Sequence, residues 1–282
     1  MFPDVGTPLR RTANAAIDWL ITTHGRSFDA ISDALLGAFL WVEAPLRALP
    51  PWAVLLLIGL IAFAAARKIW LAAGCVAGMW LIGALGVWDA AMQSLAIVLV
   101  SVAVCAVIGV PLGILMAKSA RVRAAMGPVL DLMQTIPSFV YLIPVAMLLG
   151  LGKVPAIIAT IVYALPPLAR LTDLGLRLID RELLEAADAF GATKRQRLVL
   201  VELPLAVPNI LQGINQTTMM ALAMVVIASM IGARGLGETV LEGLQRADVG
   251  KGLIGGLAIV VLAIVLDRIT QAFGAQALRH HR

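Results

Sequence analysis

Long apolar runs alternate with short charged segments along most of this chain, and this alternation dominates its pattern. A helix that crosses a bilayer needs about 20 consecutive apolar residues. Seven runs approach this length, and charged residues separate each run from the next. The pattern therefore predicts an all-α, polytopic membrane protein with about seven transmembrane helices. The predicted spans are residues 48–66, 69–88, 90–117, 132–152, 154–169, 203–233 and 252–270.

Residues 1–47 differ from the rest of the chain because they are mixed in charge, with four Arg and five acidic residues. Apolar residues recur there at helical spacing, at Phe28, Ile31, Leu35 and Phe39. This spacing predicts an amphipathic helix that lies on the external surface of the membrane. For its role we favour a plain tail beside the membrane, without a partner. The segment lacks an apolar stretch with a small-residue cleavage site, so we expect no signal peptide.

The distribution of basic residues predicts the orientation of the chain. With the charged segment after the fifth run placed in the cytoplasm, 14 of the 22 Lys and Arg residues lie inside and 8 lie outside. Cytoplasmic loops of membrane proteins carry such an excess of positive charge. The pattern therefore predicts an N-terminus outside and a short C-terminal tail, residues 275–282, in the cytoplasm.

The longest strongly charged segment, residues 180–208, predicts two short helices with a hinge. Asp180 suits the N-cap of the first helix, and Gly191 suits its end because Gly takes the left-handed conformation without penalty. Thr193, with a Gln three residues later, fits a capping box that begins the second helix. We expect Pro204 to end that helix. From spacing alone, a solvated hairpin without a specific partner is an equally good interpretation.

The same hairpin carries Glu185-Ala186-Ala187, three residues, Gly191, nine residues, and then Val201-Glu202-Leu203-Pro204. This order resembles the EAA loop of permease subunits of ATP-binding-cassette (ABC) importers, with Val201 where the family often has Ile. In that family the loop is a cytoplasmic coupling helix that docks into a groove on the ATPase subunit. The resemblance assigns ATPase coupling to Glu185, Ala186, Ala187, Gly191, Lys194, Arg195, Leu203 and Pro204.

The resemblance covers roughly residues 90–274, and the run that starts at Asn215 is similar to the glycine betaine, proline betaine and choline branch. It implies a type I importer core, residues 89–274, with a coupling loop at 171–204 and two accessory transmembrane helices at 48–88. It also implies a permease homodimer in a bacterial inner membrane, two ATPase subunits that bind ATP and Mg²⁺, and an extracytoplasmic binding protein. The alternatives are a permease for another small solute, such as methionine, and a secondary transporter or channel that acts alone.

The sixth run carries amides and hydroxyls in an otherwise apolar segment. Asn209, Gln212 and Gln216 share one helical face at i, i+3 and i+7. Polar side chains in hydrocarbon need partners or water, so this face either lines a translocation path or forms hydrogen bonds between helices. Aromatic faces attract quaternary ammonium cations, which adds Tyr141 and Tyr163 as candidates for the path. For these two residues we favour packing.

Composition and motifs argue against other function classes. Hydrophobic residues make up 61% of the chain and charged residues 14%, whereas a soluble domain carries about 25% charged residues. The net charge of +5 comes without a basic patch interleaved with aromatics, so we expect no nucleic-acid partner. The sequence contains no GxxxxGK[ST] P-loop, and its His and Cys residues form no cluster suited to a metal. We therefore expect no enzyme activity and no metal or cofactor in this chain.

Overall fold

The computed structural model describes residues 6–279, with side chains described through residue 276, and regular structure in this part of the chain is helical. The predicted all-α fold is confirmed. In chain order the α-helices are α1 (Gly6–Ala48), α2 (Pro51–Ala66), α3 (Ile69–Ala84), α4 (Trp88–Lys118), α5 (Ala120–Thr135), α6 (Leu142–Leu149), α7 (Lys153–Arg177), α8 (Arg181–Ala189), α9 (Lys194–Arg197), α10 (Leu203–Ser229), α11 (Leu236–Gln245) and α12 (Val249–Arg279).

Fewer helices than the predicted seven have the length of a membrane span. Within residues 6–279, two bent pairs raise the number of candidate spans from four to six if each pair is one span: α1 with α2, bent by 112°, and α5 with Ser138–Leu149, bent by 103°. α2 and α3 have only 16 residues each. The count of seven is therefore not confirmed. The four long candidates are Trp88–Lys118, Lys153–Arg177, Lys194–Ser229 and Val249–Gln276.

The fourth predicted span, residues 132–152, is broken, so the expectation of one helix there is wrong. α5 ends before Ile136, which is extended because the following Pro137 disfavours a helical conformation in the residue before it. A 3-10 turn, Ser138–Tyr141, then leads into α6. The Tyr141 hydroxyl donates a hydrogen bond to the carbonyl of Met133 at 2.6 Å, and this bond holds the two segments at the bend.

The centre of the bundle consists of α4, α7 and α10, and α12 packs on α10, α2 and α3. Small residues allow the backbones of these helices to approach closely. A Cβ on Gly113 of α4 would lie 2.5 Å from the Thr172 Cβ and 2.6 Å from the Ala169 carbonyl oxygen of α7. A Cβ on Gly213 of α10 would lie 2.9 Å from the Leu168 side chain. The three helices therefore form a core without room for further side-chain atoms at these positions.

The predicted amphipathic helix at the N-terminus is a single helix of 43 residues, and its last third packs on the core. Phe39 and Glu43 are buried there, whereas Ile31 remains exposed. Lys153, the first residue of α7, donates a hydrogen bond to Glu43 at 2.9 Å and places its ammonium 4.4 Å from the centre of the Phe39 ring. This part of α1 belongs to the core packing, so the plain-tail interpretation does not hold for it.

Candidate functional site

The charged hairpin has the two helices and the hinge that its sequence predicts. The Asp180 side chain caps α8 by accepting a hydrogen bond from the Glu182 N–H at 3.2 Å. Gly191 has a φ of +80°, a value that favours glycine. At the start of α9 the Gln196 N–H donates to the Thr193 hydroxyl, and the Thr193 N–H donates to the Gln196 side chain at 2.9 Å. The predicted caps and hinge are therefore confirmed.

The second helix of the hairpin does not end at Pro204, and that expectation is wrong. A π-helical turn, Leu198–Glu202, joins α9 to α10, and the Leu203 N–H bonds the Leu198 carbonyl five residues earlier. Pro204 lies in the first turn of α10, where a residue without an N–H is tolerated. The π turn inserts an extra residue without breaking the helix. The hairpin is therefore continuous with a helix of membrane length, residues 194–229.

A chain of ion pairs joins both arms of the hairpin to the end of α4. Glu202 lies in the π turn and is only 2% exposed. The Arg197 Nε donates to one Glu202 oxygen at 3.0 Å, and the Lys118 ammonium of α4 bonds the other oxygen. Arg197 also pairs with Asp188 of α8 at 2.5 Å. A buried carboxylate needs such partners, because a charge without them is costly in the interior.

Neither Glu202 nor Lys118 was among the residues to which the sequence assigned coupling. A signal was present, because Glu202 is a lone acid between Leu and Val residues on one side and Leu203-Pro204 on the other. An isolated charge in an apolar stretch is seldom fully buried unless it is paired. Its partner Lys118 lies 84 residues earlier in the chain, and no local pattern connects the two.

The outer surface of the hairpin carries most of the residues that were assigned to coupling. The fully apolar Phe190 is 93% exposed beside the hinge, and Leu183 of α8 is also exposed. The hairpin thus exposes acidic, basic and large apolar side chains. Of the assigned residues the exposed ones are Glu185, Ala186, Gly191, Lys194 and Arg195, and the half-buried ones are Ala187, Leu203 and Pro204.

The polar residues of α10 divide into two groups. Gln212 and Gln216 are exposed on one face of the helix, as a lining role requires. Asn209 is half-buried against α7, where a Cβ on Gly175 would lie 2.7 Å from the Asn209 Cβ. The predicted shared face is therefore only partly accessible, because one of its three members packs against a neighbouring helix.

Hydrogen bonds between helices come from neighbouring positions on α10. The Asn215 side-chain amide donates to the Asp267 carboxylate of α12 at 2.9 Å, and the Thr270 hydroxyl donates to the Asn215 carbonyl oxygen. Gln271 donates to both Asp267 oxygens, at 2.7 and 2.8 Å. We call these four residues the α10–α12 network. Hydrogen bonding between helices thus involves Asn215, whereas Gln212 and Gln216 are exposed, and periodicity alone did not separate these residues.

The two aromatic candidates lie beside the bend after α5. The Tyr141 hydroxyl bonds the backbone there, and both Tyr141 and Tyr163 are half-buried against one core cluster. Among the residues that the structure describes, no group of three or more His, Cys, Asp or Glu side chains is suited to a metal ion. Both cysteines are buried free thiols.

Comparison with known proteins relates this geometry to a family. Residues 109–278 match the family described as binding-protein-dependent transport system inner membrane component. The chain is 44% identical over 270 residues to the glycine betaine/proline betaine transport system permease protein ProW of Escherichia coli (strain K12), covering 95% of this chain and 75% of that one. It is 45% identical over 282 residues to the glycine betaine/carnitine transport permease protein GbuB of Listeria monocytogenes (serotype 1/2a, strain 10403S), covering 98% and 99%.

A solved structure shares the architecture. The inward-facing MetNI methionine ABC transporter contains a chain that superposes with a TM-score of 0.58 at 27% sequence identity. The match covers 72% of this chain and 97% of that chain.

Proposed function

Since this chain belongs to the family of binding-protein-dependent transport system inner membrane components, we propose that it is the permease of an ATP-driven importer for glycine betaine, choline or both. Members of this family are transport components of ABC transporters rather than enzymes. The observation that carries the substrate is the 45% identity to GbuB over 98% of this chain. The methionine alternative rests on only 27% identity to MetNI. Choline and glycine betaine share a trimethylammonium group, so one lining suits both.

The partners follow from the same membership. We propose a permease homodimer with two ATPase subunits, which bind ATP and Mg²⁺, and an extracytoplasmic binding protein that delivers the solute. The exposed outer surface of the hairpin supports the ATPase contact. Phe190 offers an exposed apolar anchor, and Glu185, Lys194 and Arg195 add exposed charges to the same hairpin. Apolar anchors inside a polar rim are typical of protein interfaces.

Transport uses the hairpin and α10 as one body. Closure of the ATPase pair displaces α8 and α9, and the continuous helix 194–229 carries this displacement into the membrane. The Glu202 ion pairs transmit it at the same time to the end of α4. Gln212 and Gln216 line the path on the exposed face of α10. Uncharged amides let the weakly hydrated trimethylammonium group pass without holding it, and the binding protein supplies the affinity.

The proposed topology has an external N-terminal segment, residues 1–47, accessory helices within 48–88 and a transport core at 89–274. Cysteines introduced at Thr193 and Glu242, with Cys75 and Cys105 replaced, test it in whole cells. An impermeant thiol reagent should label position 242 at once and position 193 only after permeabilisation. Labelling of 193 but not of 242 in intact cells would invert the topology.

The substrate is tested by uptake into vesicles that contain the full complex and its binding protein. We expect ATP-dependent uptake of labelled glycine betaine or choline, and little binding of either to the permease alone. Omission of the ATPase should abolish uptake, which separates an importer from a secondary transporter or channel. Uptake of methionine, with neither quaternary amine transported, would overturn the substrate while leaving the permease role intact.

A further inference from the structure

A basic cleft of about 460 Å³ lies between the α2–α3 turn and the last part of α12. Arg67 and Lys68 form the turn, and Arg268 projects from α12 on the opposite side. The volume of the cleft lies within the range of small-molecule sites, about 300–1,000 Å³. The remaining lining is small or apolar with two amides: Ala65, Ala66, Leu71, Gln271, Ala272, Ala275 and Gln276.

The three cations of this cleft are not neutralised by carboxylates. Within the part of the chain that the structure describes, none of the three forms an ion pair. The acid adjacent to Arg268 in sequence is Asp267, and its oxygens are engaged by Asn215 and Gln271 in the α10–α12 network. The cleft therefore keeps three positive charges beside an apolar wall, an arrangement that attracts an anion.

The backbone at the turn adds a second observation. Arg67 has a φ of +52°, which is uncommon for a residue with a side chain. It closes α2 through a hydrogen bond from its N–H to the Phe63 carbonyl at 2.7 Å. Glycine suits such a position best, yet the sequence carries a guanidinium there. A local cost retained at one residue is consistent with a role for its side chain.

The surroundings of the cleft favour a lipid over a free anion. Trp70 and Ile69, directly after the turn, are 87% and 69% exposed. Tryptophan is typical of the membrane interface, where head groups and acyl chains meet. A lipid can place its phosphate among the three cations and its chains along this exposed apolar surface, whereas a free phosphate gains only the first contact. Basic pockets between transmembrane helices bind anionic head groups in this way.

We propose that this cleft binds the phosphate of an anionic phospholipid, with Arg67, Lys68 and Arg268 as its ligands. The proposal rests on the placement of α2 and α3 in the membrane, which is part of the proposed topology. Gln271 borders the cleft and also belongs to the α10–α12 network. A head group bound in the cleft therefore lies beside Gln271 and should stabilise the contact between α10 and α12.

The test uses the permease in complex with its ATPase subunits, depleted of lipid in detergent. Native mass spectrometry then measures the binding of added phosphatidylglycerol, and phosphatidylcholine and inorganic phosphate are tested separately. The triple variant Arg67→Gln/Lys68→Gln/Arg268→Gln should bind phosphatidylglycerol at least about tenfold more weakly, since each basic residue near the membrane surface adds to the attraction for anionic lipid. The matched control Arg10→Gln/Arg11→Gln/Arg26→Gln removes three exposed charges from α1 and should bind like the unmodified chain.

A conservative variant guards against misfolding. Arg268→Lys keeps the charge and should retain most of the binding, whereas Arg268→Gln should lose part of it. Equal losses in the cleft and control variants would overturn the proposal, because generic attraction of the basic protein would then explain the binding. Inorganic phosphate that competes as well as phosphatidylglycerol would also overturn it in favour of a free-anion site. Lipid binding is measured without transport, so an incorrect substrate assignment leaves this result unaffected.

Discussion

Glu202→Gln tests the ion-pair chain with the smallest possible change in shape. The substitution removes the negative charge and leaves two cations, Lys118 and Arg197, without their shared partner. Removal of one partner from a buried ion pair costs about 3–5 kcal/mol. That figure applies to cations that stay buried, and here the Lys118 and Arg197 side chains are 42% and 24% exposed.

Solvent and Asp188 therefore offset part of this cost, since Arg197 keeps its pair with Asp188. We expect a loss of about 1–3 kcal/mol, the cost of a poorly satisfied buried polar group. No apolar residue of a candidate span is altered, so insertion and abundance should be normal. The hairpin should become loosely attached to α4, and uptake should fall more strongly than ATP hydrolysis.

The assay combines uptake, ATP hydrolysis and thermal unfolding of the reconstituted complex for four proteins: unmodified, Glu202→Gln, Lys118→Met and the double variant. Residues in direct contact show an interaction energy of about 0.5–3 kcal/mol in such a cycle. Glu182→Gln, an exposed acid on α8, is the matched control and should be neutral. Strictly additive effects, or full uptake by Glu202→Gln, would show that the ion-pair chain does not connect the hairpin to α4.

Three further predictions test other features. Gly191→Val should insert normally but lose uptake, because the positive φ of this residue costs a residue with a side chain about 1–2 kcal/mol. Full uptake with the ATPase bound would show that the backbone conformation at Gly191 is not required for coupling. Gly113→Ala should lower the melting temperature by overpacking α4 on α7, at a cost of about 1–3 kcal/mol, whereas Gly74→Ala, with open space around its Cβ, should be neutral or slightly stabilising. A hydrogen bond from Lys251 lowers the pKa of Glu242, so this pair stabilises the fold above the ordinary glutamate pKa of about 4.3. Glu242→Gln should therefore lower the melting temperature at neutral pH, and the difference should disappear as pH falls through the lowered pKa. A difference in melting temperature that persists in strong acid would refute this.

Local chemistry made the hairpin predictable. Asp180, Gly191 and Thr193 act through hydrogen bonds and backbone angles within three residues, so their pattern is complete in a short stretch of sequence. Apolar run lengths likewise predicted the all-α fold and the long helices α4 and α12, because span length is a property of one segment.

Long-range contacts and helix irregularities were not predictable in this way. The contact of Glu43 with Lys153 joins residues 110 positions apart, and no periodicity encodes it. The run 132–152 carries no charged residue, so hydropathy did not register the bend that proline geometry imposes after α5. Pro204 was expected to end a helix, but a π turn carries the helix past this point. Such a turn shifts the hydrogen-bond pattern by one residue and has no recognisable sequence signal.

The continuity of the hairpin with α10 makes its orientation a matter of helical phase. Each residue of an α-helix advances the chain by about 100° and 1.5 Å. A residue deleted between positions 203 and 207 would therefore rotate the whole hairpin around the axis of α10, away from the side where α4 ends. The π turn at Leu198–Glu202 already holds one surplus residue, so a deletion there can be absorbed by conversion to α-helix with little rotation. The number of residues in this short segment, as well as their identity, thus sets the direction in which the hairpin points.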